Sequence, residues 1–220
     1  MTDSVTISAL ATAGGTLVLA VATFSSVRSA NRSARVAELS LLTGLRPVLI
    51  PTKDADPVAP IRFGDGEVLH VAGHGGAIVV ANDVVYLGMG VRNGGQGLGV
   101  IHGWRAEPRD VDRANDRPDL ESFRRQQIDI YIPAGDTGLW LGALRDRSEP
   151  AYAPVRGALD AQDADGTIVV DLLYGDHEGG QRTIVRFILA PWSDEEGQAE
   201  RSARRVTALR YWNVDRADPR

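Results

Sequence analysis

The chain has no cysteine, one lysine (Lys53) and no charged residue between Asp3 and Arg28. The lack of cysteine excludes a thiol nucleophile and cysteine-ligated zinc. It does not identify a compartment, because cytoplasmic domains and secreted domains without disulfides both lack cysteine. The lysine is accompanied by 23 arginines, a ratio that we attribute to genomic base composition.

Common active-site signatures are also missing. There is no G-x-S-x-G segment, and the four histidines would need carboxylates from distant strands to bind a metal: His70, His74, His102 and His177. We therefore predict a non-enzymatic protein without cofactor or metal. A Ser-His-Asp site assembled from distant strands remains an alternative.

The uncharged stretch 4–27 predicts a transmembrane helix that acts as a signal anchor. Its 24 residues would extend about 36 Å, enough to cross a hydrocarbon core of about 30 Å. A cleaved secretory signal peptide is one alternative, because Leu10–Ala22 is apolar and Ala20-Val21-Ala22 resembles a cleavage site. No basic residue precedes the stretch, which argues against that alternative. A buried core helix is the other alternative.

Basic residues follow the stretch on one side only, at Arg28, Arg32, Arg35 and Arg46. The positive-inside rule then predicts a cell-membrane protein whose carboxyl-terminal domain is cytoplasmic. Arg28, Arg32 and Arg35 are spaced for one helix face, at the level of anionic headgroups, where they would orient the helix. We favour orientation over a specific lipid site, which would ordinarily need a denser basic cluster.

The predicted partner of residues 4–27 is the lipid bilayer. Two small-residue pairs, Ala11 with Gly15 and Ala9 with Ala13, would allow weak self-association of two such helices. The helix is predicted to continue as a basic stalk over 28–45, because Gly44 and Pro47 are the first residues that end it.

Residues 46–220 have the pattern of an all-β domain, in which Gly and Pro separate short runs of Val, Ile, Leu and aromatic residues. We predict an immunoglobulin-like β-sandwich. The predicted strands are 46–51, 67–72, 77–81, 84–92, 97–106, 127–132, 138–144, 166–174, 182–190 and 205–213.

Turn residues support several of these strands. Asp165-Gly166 precedes one strand and Gly179-Gly180 separates it from the next, which predicts a hairpin at the centre of the sheet. Asp65-Gly66 predicts another turn. A capping pattern predicts a short helix at 194–203. The polar segments 107–126 and 52–66 are predicted surface loops, the first with one helical turn.

The charge distribution argues against nucleic-acid binding. Residues 1–46 carry a net charge of +2, and since the whole chain carries −5, the remainder carries −7. An acidic domain is a poor nucleic-acid binder. The partner that we expect is instead another protein, still unidentified.

The candidate binding loop is glycine-rich and contains Asn93, Gly94, Gly95, Gln96 and Gly97. It lacks the Lys-Ser/Thr pair of a phosphate-binding loop and precedes a predicted strand, so a plain turn between strands is the simpler interpretation. Asp160, Asp163 and Asp165 resemble part of a calcium loop without its end ligands. Four tryptophans would line a ligand groove or fill the core: Trp104, Trp140, Trp192 and Trp212.

Several phrases of the sequence resemble one group of proteins. They are Leu45-Arg46-Pro47-Val48-Leu49, the phrase Val91 to Gly97, Tyr131-Ile132-Pro133-Ala134-Gly135 and Val170 to Asp176. Together with the single apolar span they resemble uncharacterised single-pass proteins of high-GC Gram-positive bacteria. The resemblance covers most of the chain and implies a sandwich-like fold, but no activity and no functional residue.

These patterns together predict a membrane-anchored binding or scaffold module held at the cytoplasmic face. The alternatives are an extracytoplasmic domain that binds carbohydrate or protein, and a hydrolase with a site assembled from loops. Fold class does not distinguish them. The loops 94–99 and 107–126 are the predicted recognition segments.

Overall fold

The computed structural model describes residues 2–128, 131–161, 166–192 and 202–218, without the side chains of 2–13 and of residue 42. Its contacts divide the chain into two compact units, Met1–Gly44 and Leu45–Arg220. Five predictions fall wholly or partly outside this description: the side chains of the first part of the span 4–27, the small-residue pairs before Gly15, two residues of the strand 127–132, the aspartates at 163 and 165, and most of the helix at 194–203.

The first unit is a single helix, α1, Thr2–Gly44. It continues without interruption from the uncharged stretch into the basic stalk and ends at Gly44, which confirms the predicted helix end. Where side chains are described, none of the helices is both sufficiently long and sufficiently apolar to cross a membrane.

The second unit contains twelve described strands and one described α-helix, α2 (Tyr152–Asp160). The strands are β1 (Leu49–Pro51), β2 (Ala59–Arg62), β3 (Val68–Val71), β4 (Gly75–Ala81), β5 (Val84–Asn93), β6 (Gly99–Pro108), β7 (Arg124–Arg125), β8 (Tyr131–Ile132), β9 (Thr137–Leu144), β10 (Ile168–Gly175), β11 (Thr183–Pro191) and β12 (Ala203–Asn213).

Ten of these strands form one antiparallel sheet. The hydrogen-bonded order is β1-β5-β4-β12-β11-β10-β6-β7, with β9 also on β5 and β8 also on β6. The sheet curls so that β7 approaches β9. The Arg124 guanidinium donates to the Ala143 carbonyl at 3.0 Å, and the Gln126 amide donates to the Leu141 carbonyl at 3.3 Å. Among the described residues, β7 and β9 are not paired by backbone hydrogen bonds. Side-chain hydrogen bonds connect the two edges of the sheet there instead.

The prediction of a mostly β domain is confirmed, but the immunoglobulin-like sandwich is not. One curled sheet carries most of the strands and encloses the core, instead of two similar sheets that face each other. Alternating apolar residues show that a strand buries one face. They do not show whether that face meets a second sheet or the far wall of the same sheet.

Apolar side chains on the concave face form the main core. The largest fully buried ones include Trp140, Tyr174 and Phe187. Tyr152 and Val155 of α2 pack into the same cluster, and the Tyr152 hydroxyl donates to the Asp83 carbonyl at 2.8 Å. Helix α2 thus contributes buried side chains to the enclosed core.

A second, smaller cluster lies on the convex face. The β2–β3 hairpin covers β4, β5 and β9 there, and Ile61, Leu69 and Tyr86 are among its buried residues. The hairpin turns at Asp65-Gly66, where Gly66 adopts φ 94°. Gly88 permits the close approach, since a Cβ there would lie 2.5 Å from the Ile61 side chain.

Most predicted strands are confirmed within a few residues, and β10 and β11 form the predicted central hairpin. Three elements were missed: β2, within the predicted loop 52–66, β7, and α2. The predicted strand 127–132 is described as strand only at β8. A 3₁₀ turn at Leu120–Ser122 confirms the helical turn expected within 107–126.

Candidate interaction surfaces

Helix α1 carries a basic face just beyond its uncharged stretch. Phe24, Val27, Arg28, Asn31, Arg32 and Arg35 line one shallow groove of about 410 Å³. This places the three predicted membrane-orienting arginines together on one side of the helix. Their spacing along α1 is the reason, because residues four and seven positions apart return to nearly the same direction.

The described part of the uncharged stretch exposes large apolar side chains on several sides. Leu17, Val18, Leu19, Val21, Phe24 and Val27 are each between 53% and 69% exposed. Successive residues are rotated by about 100°, so these side chains point to several sides of the helix, between the hydroxyl residues Thr16, Thr23, Ser25 and Ser26. The Thr23 and Ser25 hydroxyls donate to the Leu19 and Ala22 carbonyls of the same helix, at 2.7 and 2.9 Å. A group of exposed apolar side chains marks an interaction surface.

Asn93 organises the glycine-rich loop from inside the second unit. It is fully buried, and its side-chain oxygen accepts from the backbone N–H groups of Val48 at 3.1 Å and Gly95 at 3.0 Å. Its amide donates to the carbonyls of Gly97 at 2.7 Å and Ile132 at 3.0 Å. All four hydrogen bonds are internal, so Asn93 is satisfied without a ligand.

The glycines of this loop are close to a neighbouring segment of the same chain. A Cβ at Gly97 would overlap the Leu45 carbonyl, and a Cβ at Gly95 would overlap the Arg46 carbonyl. Residues 45–48 therefore pack directly against this loop, and their backbone fills the space beside Gly95 and Gly97. Gly94 and Gln96 remain exposed, and a binding role for the loop remains a prediction.

A row of charged residues crosses the convex face of β6, β10 and β11. Asp171 lies opposite Arg105 on one side and Arg186 on the other. Arg186 donates to both carboxylate oxygens of Asp171, at 2.8 and 2.9 Å, and their side chains are only 4% and 0% exposed. Burial opposes the charge of Arg186, but the hydrogen bonds to Asp171 outweigh it and raise the pKa of Arg186.

The segment 109–119, which we call the strap, lies over this charged row. The second terminal nitrogen of Arg186 donates to the Arg113 and Ala114 carbonyls at 2.9 and 3.1 Å. Arg210 donates to the Asn115 side chain at 3.0 Å. Arg186, which is held by Asp171, therefore attaches the strap to the sheet by hydrogen bonds. The strap itself has few apolar residues that could bury in the core.

A cleft of about 670 Å³ lies between the strap and the start of α2. Its walls combine apolar surface with guanidinium and carboxylate groups: Arg105, Ala106, Glu107, Pro108, Arg109, Asp110, Val111, Arg113, Ser122, Pro150, Ala151 and Pro154. Val111 is 71% exposed. The cleft therefore carries charges of both signs beside exposed apolar surface.

A smaller polar network stabilises the turn of the β2–β3 hairpin. The Asp65 carboxylate accepts from the Tyr86 hydroxyl at 2.6 Å and from Arg145. These two hydrogen bonds, that of Arg145 above all, lower the pKa of Asp65 to about 2. The Arg145 guanidinium also lies 5.4 Å from the centre of the Tyr86 ring.

The four histidines lie on different elements, on β3, before β4, on β6 and in the β10–β11 turn. His74 contacts the carbonyl of Thr52, and His177 lies 4.0 Å from Glu178. Burial lowers the pKa of His102, and its Nε2 atom has no hydrogen-bond partner among the described residues. In the described part of the chain, no group of three or more His, Cys, Asp or Glu residues is placed to hold a metal.

The tryptophans serve mainly as packing surfaces. Trp104, Trp140 and Trp212 are buried, while Trp192 is half-buried. Trp104 meets Trp140 edge to face, with ring centres 5.4 Å apart. Trp212 contacts the guanidinium groups of Arg186 and Arg210, at 5.0 and 5.7 Å. The described contacts therefore favour the core-packing alternative for these three residues.

Comparison with known proteins adds no identity. No known protein family, curated protein or solved structure matches this chain.

The buried ion pair was not found from the sequence, although a signal for it exists. Asp171 and Arg186 are each the one charged residue within an otherwise apolar strand. The predicted hairpin joins these two strands, and its register places the two residues opposite each other. Since unpaired charges are rarely buried, this coincidence would have indicated an ion pair.

Proposed function

We propose that this chain is a membrane-anchored, non-enzymatic binding or scaffold module that presents its β-rich unit to a protein partner at the cytoplasmic face. The observation that carries the proposal is the exposed apolar part of α1, followed at once by arginines. The proposed anchor is the stretch 4–27, which includes residues 4–13, whose side chains the structure does not describe.

Solvation is the physical argument for an anchor. Leu17, Val18 and Leu19 are all more than 65% exposed, and each would contribute about 1.5–3 kcal/mol if it were fully transferred to an apolar medium. None of them belongs to either hydrophobic core cluster of the described residues. A bilayer is the apolar medium that also accounts for the neighbouring basic face.

The cleft between the strap and α2 is the proposed partner surface. It combines exposed Val111 with Arg109 and Arg113, and the buried ion pair beneath holds its strap in place. Apolar groups and arginines together are characteristic of protein interfaces. The glycine-rich loop is a weaker candidate because residues 45–48 already occupy much of it.

Protease accessibility tests the anchor and its orientation. The full chain, with an epitope at Arg220, is expressed in cell-wall-free cells, which are then treated with protease before or after lysis. We expect the epitope to sediment with membranes and to be protected until lysis. Digestion in intact cells, or release into the medium, would favour the extracytoplasmic binding domain instead.

A matched pair of variants separates the anchor from general insolubility. Leu19→Arg with Val21→Arg places two charges inside the proposed span, where each costs several kcal/mol. We expect this variant to leave the membrane fraction. Val58→Arg changes another exposed apolar residue, 63% exposed, and should remain membrane-bound. Equal retention of both variants would contradict the anchor.

A further inference from the structure

We propose that the basic face of α1, although less dense than an ordinary lipid-specific cluster, binds anionic phospholipid headgroups in preference to zwitterionic ones, because its three arginines are exposed and line one groove. The face consists of Arg28, Arg32 and Arg35, with Phe24 and Val27 at its apolar end. This inference rests on the proposed function, because it assumes that α1 lies in a bilayer. It adds the chemical class of lipid that the helix selects.

Geometry places the three guanidinium groups on one line. Arg32 and Arg35 follow Arg28 by four and seven positions, which returns each to within about 40° of the same direction. The face rises by about 10 Å from Arg28 to Arg35, so Arg28 would lie within the headgroup layer of about 5–7 Å and Arg35 at its outer edge, where the flexible side chain can still reach phosphate groups. Phe24 lies one turn before Arg28 and lines the same groove.

These arginines have no competing partner within the described part of the protein. Among the described residues, their side chains form no ion pair and no hydrogen bond with protein groups, and each is exposed. By contrast, Arg124, Arg145, Arg156 and Arg182 in the second unit each form an ion pair. The charge of the basic face is therefore available to an external anion.

A lipid surface fits this face better than a nucleic acid does. The arginines begin immediately after the uncharged stretch, so that an inserted helix would hold them at headgroup depth. The residues after Arg46 carry a net charge of −7, which would repel an extended polyanion that had to pass along the second unit.

The expected preference is large enough to measure. Each Arg near an anionic surface contributes about a fivefold gain in binding at physiological salt. Three arginines would together strengthen binding to an anionic surface by on the order of 100-fold. The gain is smaller at high salt because the charges are screened. The preference should therefore fall steeply between 50 mM and about 500 mM salt.

The test measures lipid preference with the full chain in neutral-detergent micelles. Fluorescent phosphatidylglycerol and phosphatidylcholine with matched acyl chains are titrated separately into the protein. We expect the wild type to favour phosphatidylglycerol at least tenfold, and the variant Arg28→Gln, Arg32→Gln, Arg35→Gln to lose that preference. A control variant, Arg62→Gln, Arg125→Gln, Arg147→Gln, removes the same charge from the second unit and should retain the preference.

Three outcomes would overturn the inference: no preference in the wild type, equal loss in both variants, or full displacement of the lipid by inorganic phosphate or a short oligonucleotide at matched charge. Circular dichroism shows whether both variants keep their helix. If the wild type remains in the membrane fraction of cells but shows no lipid preference, this inference fails while the anchor stands. If it is not in the membrane fraction, the proposed function itself fails.

Discussion

Removing one partner of the buried Asp171–Arg186 pair should strongly destabilise the second unit. Asp171→Ala leaves the Arg186 guanidinium buried at 4% exposure with no carboxylate at hydrogen-bonding distance on β10. It also removes the counter-charge that lies 3.5 Å from Arg105. Breaking a buried pair of this kind costs about 3–5 kcal/mol. Because Glu107 remains 3.7 Å from Arg186, we expect a loss near the lower end, about 3 kcal/mol, which is still a large part of the stability of an ordinary domain.

The two single variants should destabilise the second unit by similar amounts. Arg186→Met leaves Asp171 buried, but Arg105 still lies 3.5 Å from that carboxylate, so we expect a loss of about 2–3 kcal/mol. The double variant Asp171→Leu, Arg186→Met buries no charge in the pair. Its loss should be only about 1–2 kcal/mol, because the Arg113 and Ala114 carbonyls of the strap lose their donor.

Urea unfolding followed by tryptophan fluorescence measures these changes. All four tryptophans lie in the second unit, so the signal reports on that unit even when α1 is held in detergent. The reasoning would be refuted by a loss below about 1 kcal/mol for Asp171→Ala, or by a double variant whose loss equals the sum of the two single losses.

Three further predictions concern other sites. Gly97→Ala should destabilise the second unit by about 2 kcal/mol or more in the same urea assay, because its Cβ overlaps a backbone carbonyl, whereas Gly180→Ala meets no atom within 4 Å and should change stability little. Hydrogen bonds lower the pKa of Asp65 to about 2, so its contribution to stability is present above about pH 4 and is lost as the pH falls toward 2. In urea unfolding at a series of pH values, Asp65→Asn should lack this part of the decrease in the free energy of unfolding. Burial lowers the pKa of His102 below its usual value, so protonation on acidification from about pH 7 to 5 should destabilise the wild type, and His102→Gln should show a smaller loss over that range.

Local patterns predicted the secondary structure because each depends on near neighbours. Gly44 and Pro47 determine the end of α1, and Asp65-Gly66 determines the turn of the β2–β3 hairpin. Alternation of apolar and polar residues located most strands. The missed elements carry weak local signals: β2 contains Pro60, and α2 contains Pro154 and Gly157 within nine residues. Contacts with the rest of the unit stabilise them, among them the buried side chain of Val155.

The candidate sites were less predictable because they join distant residues. Asn93 was chosen as part of a binding loop, but its hydrogen-bond partners come from Val48, Ile132 and the loop itself. The strap was correctly expected to be polar. Its attachment to Arg186, about 70 residues later in the chain, depends on the order of strands in the sheet.

The sequence by itself determined the long amino-terminal helix, the basic face that follows its uncharged stretch, the β-rich character of the second unit and its central hairpin, since all four depend on spacings within a few residues. Only the tertiary structure decided that one sheet curls around the core, that residues 45–48 fill the glycine-rich loop, and that Asp171 and Arg186 lie buried beneath the strap. Those features depend on which strands become neighbours, and strand neighbours are selected by the packing of the whole unit.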